Sequence, residues 1–365
     1  MKKKNVYIVH EEIPSEFRFN AGSKARDDIE TIIQKMDGNV FFIDNSEVSG
    51  REKHSFFYKL KEHKAVLESW KKQLKNLPYK CTVIFQYPVF FHTIYFNKVI
   101  DYLHNKGCQV VGIFHDLETL RLAANKDCNK QIIIKRLIFE ERRSVPYFDK
   151  VIVHNDSMKK KTIEIFSLEQ NKVSVIEIFD YLIPNYHISG IKNDNRTKGF
   201  YSIIIAGNLN SRKSGYVYKL PDDCKFELYG PNYNGKQSES IHYNGSFLPD
   251  ELPFILNGDF GLVWDGPDST NCSRPTGEYL KYNNPHKTSL YLACGIPVII
   301  WKEAAMAKFI NDHECGITVD SLYELKSVLN SITMDEYENM RINAEQIGKK
   351  LRNGEYTQRA IMGER

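Results

Sequence analysis

No stretch of this sequence approaches 18 consecutive apolar residues, the length a helix needs to cross a bilayer. A membrane-spanning role is therefore set aside, and any membrane contact is expected to be peripheral. The first apolar run, VYIV at 6–9, follows a basic MKKKN and is far too short for the core of a secretory signal. Paired cysteine spacings are missing too. The seven cysteines (Cys81, Cys108, Cys128, Cys224, Cys272, Cys294, Cys315) are scattered, odd in number and include no Cys-x-x-Cys. They read as buried thiols in a reducing compartment, not as a disulfide frame or a zinc site, and the protein is expected to be cytoplasmic. Neither a G-x-G-x-x-G nor a G-x-x-x-x-G-K-[ST] occurs, which removes the dinucleotide and P-loop fingerprints. Net charge is only +4, so nothing points to nucleic acid. No repeat, low-complexity tract or coiled coil stands out.

What is present is a steady alternation. Short apolar β-rich runs appear at 6–9, 40–43, 82–87, 109–114, 150–154 and 173–179, and again at 201–206, 225–230, 260–264, 296–301 and 316–319. In the first half, helical patterns separate them at 24–36, 53–76, 93–106, 130–143 and 156–167. Continuous apolar strands between helices signal parallel sheets covered on both faces, with ligands expected at the strand carboxyl ends. The stretch 187–200, HISGIKNDNRTKGF, is polar and aperiodic and reads as a linker. The expected organisation is an α/β chain with an N-terminal Rossmann-like domain over 1–186, a linker over 187–200 and a second Rossmann-like domain over 201–345. A C-terminal helix or tail over 346–365 is expected to pack back on the first domain.

Five segments carry candidate chemistry. NNPHKTSLYLACGIPVII (283–300) predicts a helix with Asn284 as N-cap, Pro285 at the first position, and His286, Lys287 and Thr288 in the first turn. A lysine there opposes the helix dipole unless an anion sits beside it, so the segment suits a diphosphate. IIIAGNLNSRKSGY (203–216) runs from a strand through Gly207 into a basic loop with Arg212 and Lys213. A glycine at that exit permits close backbone approach by a ligand, although a plain basic surface loop fits equally well. In GDFGLVWDGPDSTNCSRPTGEYLKYNN (258–284), a buried strand ends at Trp264–Asp265 before a long loop; Asp265 and Asp268 read as solvated acids, and no metal site is expected. His115–Asp116 and His154–Asn155 follow strands in the first half, where Asp116 suits a base or a partner for a sugar hydroxyl, with Glu11 and Glu12 as other acids near the first strand. FQYPVFFHTIYF (85–96) reads mainly as core, with Tyr87, Phe90 and Phe91 near a turn that suits stacking on a sugar ring.

Together these segments resemble the GT-B glycosyltransferases, and within them the bacterial group of the streptococcal adhesin glucosyltransferase 3 and the galactofuranosyltransferases of surface polysaccharide synthesis. AGSKARDDIETI (21–32), VIFQYPVFFH (83–92), FHDLETLR (114–121), VIVHNDSMKK (151–160) and YNGSFLPDELP (243–253) share the likeness; NNPHKTSLYLACGIPVI is its most specific part. The resemblance implies two Rossmann-like domains with parallel sheets facing a cleft, a UDP-sugar donor, and no metal or other cofactor. It assigns Lys287 to the diphosphate, Arg212 or Lys213 to a phosphate-contacting loop, Tyr229–Gly230 to the uracil region, and Asn20, Gly22 and Lys24 to the sugar or acceptor side. His115 and Asp116 remain the catalytic pair, with Tyr87 toward the acceptor. The family's ribose-binding glutamate has no clear counterpart: Glu303 comes early and Lys308 stands near its place. The second glutamate of an E-x7-E pair is Asn311, which leaves retention or inversion open.

The function implied is transfer of a hexose, galactofuranose or glucose, to a lipid-linked or protein-linked glycan. A non-hydrolysing UDP-sugar epimerase and a non-catalytic scaffold for a partner transferase are the competing readings. Relatives suggest a homo-oligomer. Residues 51–80 hold nine Lys or Arg against three Glu, which reads as a solvated basic face or, with Lys2, Lys3 and Lys4, as a peripheral patch for an anionic membrane.

Overall fold

The computed structural model describes residues 5–12, 21–48, 56–122, 131–186 and 201–363. The expected linker at 187–200, Asn20 and Lys2–Lys4 lie outside them. The chain divides into two compact units. One comprises Met1–Arg18, Ile29–Ile176 and Gln358–Arg365; the other comprises Phe19–Asp28 and Glu177–Thr357. The division after the first sheet thus falls at 176/177, ahead of the expected 186.

The first unit holds β1 (Val6–Glu11), β2 (Asn39–Ile43), β3 (Thr82–Tyr87), β4 (Gln109–Phe114), β5 (Lys150–Val153) and β6 (Val173–Val175). They form one parallel sheet in the order β2-β1-β3-β4-β5-β6. The helices of this half are α1 (Ala21–Lys35), α2 (Phe56–Leu74), α3 (Phe96–Asn105), α4 (Glu118–Arg121), α5 (Gln131–Ser144) and α6 (Asp156–Phe166), and the first residues of α1 belong to the other unit. The fully buried strand interiors explain the unbroken apolar runs: Val83, Ile84 and Phe85 are all at most 1% exposed. Trp70, Phe85, Phe96 and Phe148 pack edge to face or tilted around this core, with Phe85 and Phe96 centroids 5.2 Å apart. Each such ring contributes about 2–3 kcal/mol through burial alone. Cys81 and Cys108, far apart in sequence, bring their sulfurs to 3.3 Å, and burial pushes the Cys81 thiol up to about 12.

The second unit holds β7 (Ser202–Ala206), β8 (Lys225–Tyr229), β9 (Ile241–Tyr243), β10 (Phe260–Val263), β11 (Val298–Trp301) and β12 (Gly316–Val319), all parallel, in the order β12-β11-β10-β7-β8-β9. Its helices are α7 (Leu252–Ile255), α8 (Arg274–Glu278), α9 (His286–Ala293), α10 (Ala307–Asp312), α11 (Leu325–Ser331) and α12 (Met334–Asn353), followed by α13 (Glu355–Met362), which belongs to the first unit from Gln358 on. There the Lys150 ammonium reaches the Ala360 carbonyl at 3.3 Å. A Thr333–Glu336 capping box starts α12 and Gly354, at φ +77°, stops it.

Two expectations about strands need correction. The run 173–179 pairs only over Val173–Val175, because Phe179 and Asp180 turn away to bond Ser289, Tyr356 and Thr357 in the second unit. The three-residue β9 is added to the expected strands, since IHY is too short to show any period.

Each sheet reverses its build direction once. In the first unit the reversal lies between β1 and β3; in the second it lies between β7 and β10. Such switch points leave a crevice at the carboxyl ends of the two strands, where open α/β sheets bind ligands. A cavity of about 210 Å³ in the second unit lies elsewhere, at the amino-terminal strand edge beside Tyr201 and Lys225.

Candidate functional site

At the β7 side of the second unit's switch point the strand ends in Gly207. Its φ is +135° and the place of a Cβ has nothing within 4 Å, so the backbone is open to solvent there. Its N–H bonds the Tyr229 carbonyl at 2.9 Å, and the neighbouring exit, Gly230, lies against the Gly207 carbonyl. The next loop is shaped by asparagines: Asn208 Oδ1 accepts the Asn210 N–H at 3.0 Å, and Asn210 Oδ1 accepts the Arg212 N–H at 2.9 Å. Arg212 and Lys213 ride exposed on this turn.

On the β10 side stands α9. Gly261 leaves room for the Tyr291 ring: a Cβ there would sit 2.1 Å from it. Tyr291 Oη in turn accepts the Ala206 N–H at 2.8 Å, so one helix packs on both banks of the switch point. That seat places the first turn beside the β10 exit. Lys287 Nζ donates to the Trp264 carbonyl at 2.6 Å and to Asp265 Oδ1 at 3.1 Å, and the pair is 15% and 14% exposed. No side chain caps the first turn, and it contains no acid. The arrangement is a short ledge built from a helix N-terminus, an ammonium held by the Asp265 carboxylate, and a bare glycine backbone; its free N–H groups and the helix dipole suit a phosphate chain.

Several details depart from expectation. Pro285, at ψ +130°, is itself the N-cap and the helix begins at His286, because Asn284 is buried and donates to the Glu177 carbonyl at 2.8 Å. Thr288 is fully buried and its hydroxyl has no hydrogen-bond partner, so it faces packing and not solvent. Trp264 is also fully buried, its indole N–H on the Asp268 carbonyl at 3.0 Å; only its backbone oxygen serves the site. Tyr229 is 1% exposed and its hydroxyl accepts the Asn257 N–H at 3.1 Å, which leaves no ring face for a base. Glu303 pairs with Lys281 at 2.8 Å, while Lys308 pairs with Asp312.

Lys24 takes a different place from the one expected. It is 7% exposed, with Nζ 2.5 Å from Asp28 Oδ1, 2.8 Å from the Leu182 carbonyl and 3.1 Å from Asp250 Oδ1, within the second unit. Gly22 beside it is exposed. Burial pushes Asp28 up to about 6 against the opposing pull of Lys24. Asp180 accepts the Thr357 N–H at 2.7 Å, and burial raises it to about 7. Sequence reasoning did not single out Asp28 or Asp180; the i,i+4 spacing of Lys24 and Asp28 was the available signal.

His286 packs tilted against Tyr181, with ring centroids 5.0 Å apart. Neither ring nitrogen meets hydrogen-bond geometry, and burial, helped by the Lys24 charge, lowers it to about 3. It is neutral when folded and titrates near its ordinary value of 6.5 when unfolded. The unfolded state therefore gains protons first as pH falls below 6.5, and stability is lost over that window. Relative to His286→Phe, the wild type should lose about 2 kcal/mol between pH 7 and pH 5, read as a fall in the wild-type Tm minus the variant Tm. A gap independent of pH would contradict the buried neutral ring.

In the first unit the switch point carries a hydrogen-bonded line that the sequence did not reveal. His10 Nδ1 lies 2.8 Å from Glu30 Oε2, Gln86 Nε2 donates to Glu30 Oε1 at 3.0 Å, and His115 Nε2 lies 2.8 Å from Gln86 Oε1. His115 is thus brought to β1 and α1, while Asp116 sits 3.6 Å from Arg121. Glu11 is buried and accepts the N–H groups of Phe90 and Phe91, each at 2.9 Å, which commits both oxygens to the backbone. Glu12 remains exposed. Asn155 caps α6 through the Met158 N–H at 3.0 Å, and His154, 2% exposed, is lowered to about 4 by burial. Tyr87 belongs to the core, 4.8 Å from Phe114 and 5.8 Å from Phe148, so it offers no platform for a sugar; Phe90 keeps the exposure that Tyr87 and Phe91 lack.

Comparison with known proteins matches both halves. The glucosyltransferase 3-like N-terminal domain family fits residues 5–164, and the glucosyltransferase 3-like C-terminal domain family fits residues 203–363. The chain is 33% identical over 290 residues to the beta-1,6-galactofuranosyltransferase WbbI of Escherichia coli (strain K12), covering 78% of each protein. It is 24% identical over 294 residues to glucosyltransferase 3 of Streptococcus gordonii, covering 79% of this chain and 80% of that one. Sucrose-phosphate synthase from Thermosynechococcus elongatus superposes with a TM-score of 0.61 at 12% identity, over 98% of this chain and 96% of that one, a likeness of fold, GT-B, alone.

Proposed function

The chain belongs to the glucosyltransferase 3-like family and is a hexosyltransferase, and from that premise we propose that it draws its hexose from a UDP-sugar without a metal ion. The observation that carries this reading is Lys287, held at the uncapped start of α9 beside the β10 exit. A nucleoside diphosphate on this ledge meets the ammonium, the helix N–H groups and the open backbone of Gly207, with Arg212 and Lys213 at its margin. Negative charge grows on the diphosphate as the glycosidic bond breaks. Donors already in place then stabilise the transition state more than the bound donor, which lowers the barrier. A divalent cation would supply the same compensation.

Galactofuranose is the hexose favoured, since the relative sharing 33% identity is named for it, ahead of glucose. The acceptor is a lipid-linked or protein-linked glycan of a bacterial surface polysaccharide or glycoprotein. Of the acids at strand exits in the first unit, Glu11 is committed to the backbone while Asp116 and Glu12 keep solvent access; Asp116, next to His115 at the β4 exit, is assigned to the acceptor hydroxyl's proton, and Glu12 is the second reading.

The test is transfer from UDP-galactofuranose and UDP-glucose to a panel of glycosides in excess chelator. Acceptor-dependent release of UDP, undiminished by chelation, is expected. Loss of activity restored by a divalent ion would overturn the metal-free reading. Interconversion of the donor without acceptor would replace transfer by epimerisation.

A further inference from the structure

The helix α5, QIIIKRLIFEERRS, departs from an ordinary surface helix in burying both of its acids while exposing half of its large apolar side chains. Its two acids point inward. Glu140 and Glu141 are 4% and 1% exposed; Glu140 faces His92 Nδ1 at 3.1 Å, and Glu141 accepts the Thr119 N–H at 2.8 Å. Three of its large apolar side chains point outward: Ile132 is 84% exposed, Ile133 52% and Phe139 47%, with Tyr147 just beyond the helix at 38%, while Ile134 is buried and Leu137 and Ile138 are half-buried. Lys135 and Arg142 are exposed as well, and the Arg143 guanidinium lies 5.5 Å over the Phe139 ring. Ile132, Lys135, Phe139 and Arg142 or Arg143 recur at steps of three and four, so they share one face. Arg136 is answered by Glu140 at 3.4 Å; the other three cations have no acid of their own helix beside them on the outside.

We propose that this outer face of α5 docks the protein on an anionic lipid bilayer. Apolar side chains interleaved with cations on one exposed helix face are what an interfacial helix needs: insertion supplies one attraction and headgroup charge a second. Charge complementarity decides the occupant. Two copies meeting through this face would bring Lys135, Arg142 and Arg143 against their own equivalents, with the compensating acids buried. A convex helix face bearing separate apolar side chains also suits a fluid surface that moulds to it. The basic helix α2 lacks the first attraction: among its described exposed positions, Lys61, Lys64, Glu68 and Lys72 are accompanied only by Ala65.

The experiment is co-sedimentation of the full chain with vesicles of phosphatidylcholine alone, or with about one third phosphatidylglycerol. Binding is expected only to the anionic vesicles, falling as salt is raised. Ile132→Ser/Phe139→Ser should weaken partitioning by about tenfold or more. Arg142→Gln/Arg143→Gln should weaken it by about twentyfold, near fivefold for each cation. All replaced side chains sit outside the core, and unchanged Tm verifies folding; Ile132→Ser alone serves if the Phe139 change disturbs it. Equal binding to neutral vesicles, no binding, or variants that bind like the wild type would overturn the proposal. So would a wild-type dimer that the Ile132→Ser/Phe139→Ser change dissociates without any vesicle binding, which would give the face to a second copy. The readout needs neither donor nor acceptor, so it is independent of the UDP-sugar reading.

Discussion

Lys287→Ala should lower turnover by about 10²–10³-fold and weaken UDP binding by about 10–100-fold, the range for a charged donor lost from a preorganised site. The larger effect on turnover follows from timing, because charge on the leaving diphosphate is greatest in the transition state. Calorimetric titration of UDP in the presence of chelator gives the first number, and saturating-donor kinetics the second. The Lys287–Asp265 pair complicates a naive reading, since removing the lysine leaves a half-buried carboxylate behind. Asp265→Asn separates the alternatives. If the pair only supports the loop after β10, both variants should lose stability and activity alike. If Lys287 holds the donor, Asp265→Asn should keep UDP binding within severalfold of wild type. Wild-type UDP affinity in folded Lys287→Ala would remove the ledge from the donor site.

Gly230→Ala should destabilise the second unit by about 3 kcal/mol or more. Two costs combine. Gly230 has φ +140°, a region closed to alanine without strain, and its Cβ would lie 1.8 Å from the Gly207 carbonyl oxygen. The clash is with backbone, so no side chain can rotate away. Relief requires the exits of β7 and β8 to separate, which also breaks the Gly207 N–H bond to Tyr229. Gly207→Ala is the informative partner. It shares the positive φ but meets nothing within 4 Å, so it should cost only about 1–2 kcal/mol through backbone strain. Its larger effect should fall on donor affinity, because the new methyl projects where a ligand approaches the backbone. Midpoints of urea unfolding rank the two; equal losses would mean that the close approach of the exits is not what makes Gly230 necessary.

The boundary between what was readable and what was not follows the range of the interactions. Strand positions were legible because parallel strands buried on both faces must be apolar throughout; 82–87, 109–114 and 316–319 match their strands residue for residue. Lys287, Gly207 and the Arg212–Lys213 loop were legible because each belongs to a short strand-exit or helix-start unit whose geometry is local. The aromatic and polar side chains were not. Tyr87 and Tyr229 read as ligand-facing beside their strand exits, and each is instead consumed elsewhere: Tyr87 by packing on Phe114, and Tyr229 by burial and the Asn257 N–H that its hydroxyl accepts; Trp264, at the end of β10, spends its indole N–H on the Asp268 carbonyl. Asn284 looked like a cap until Glu177, more than a hundred residues earlier, offered it a better acceptor.

By itself, then, the sequence determined two parallel α/β units and a helix start with Lys287 in its first turn, since these rest on periodicity, glycine and charge within a few residues. Only the tertiary structure decided which acids are buried, that His10, Glu30, Gln86 and His115 form one hydrogen-bonded line, and that α5 turns Ile132, Ile133 and Phe139 outward and its glutamates inward. A helical period says which residues share a face. It does not say which face meets the protein, because that depends on partners far away in the chain, such as Thr119 and His92 for the two glutamates.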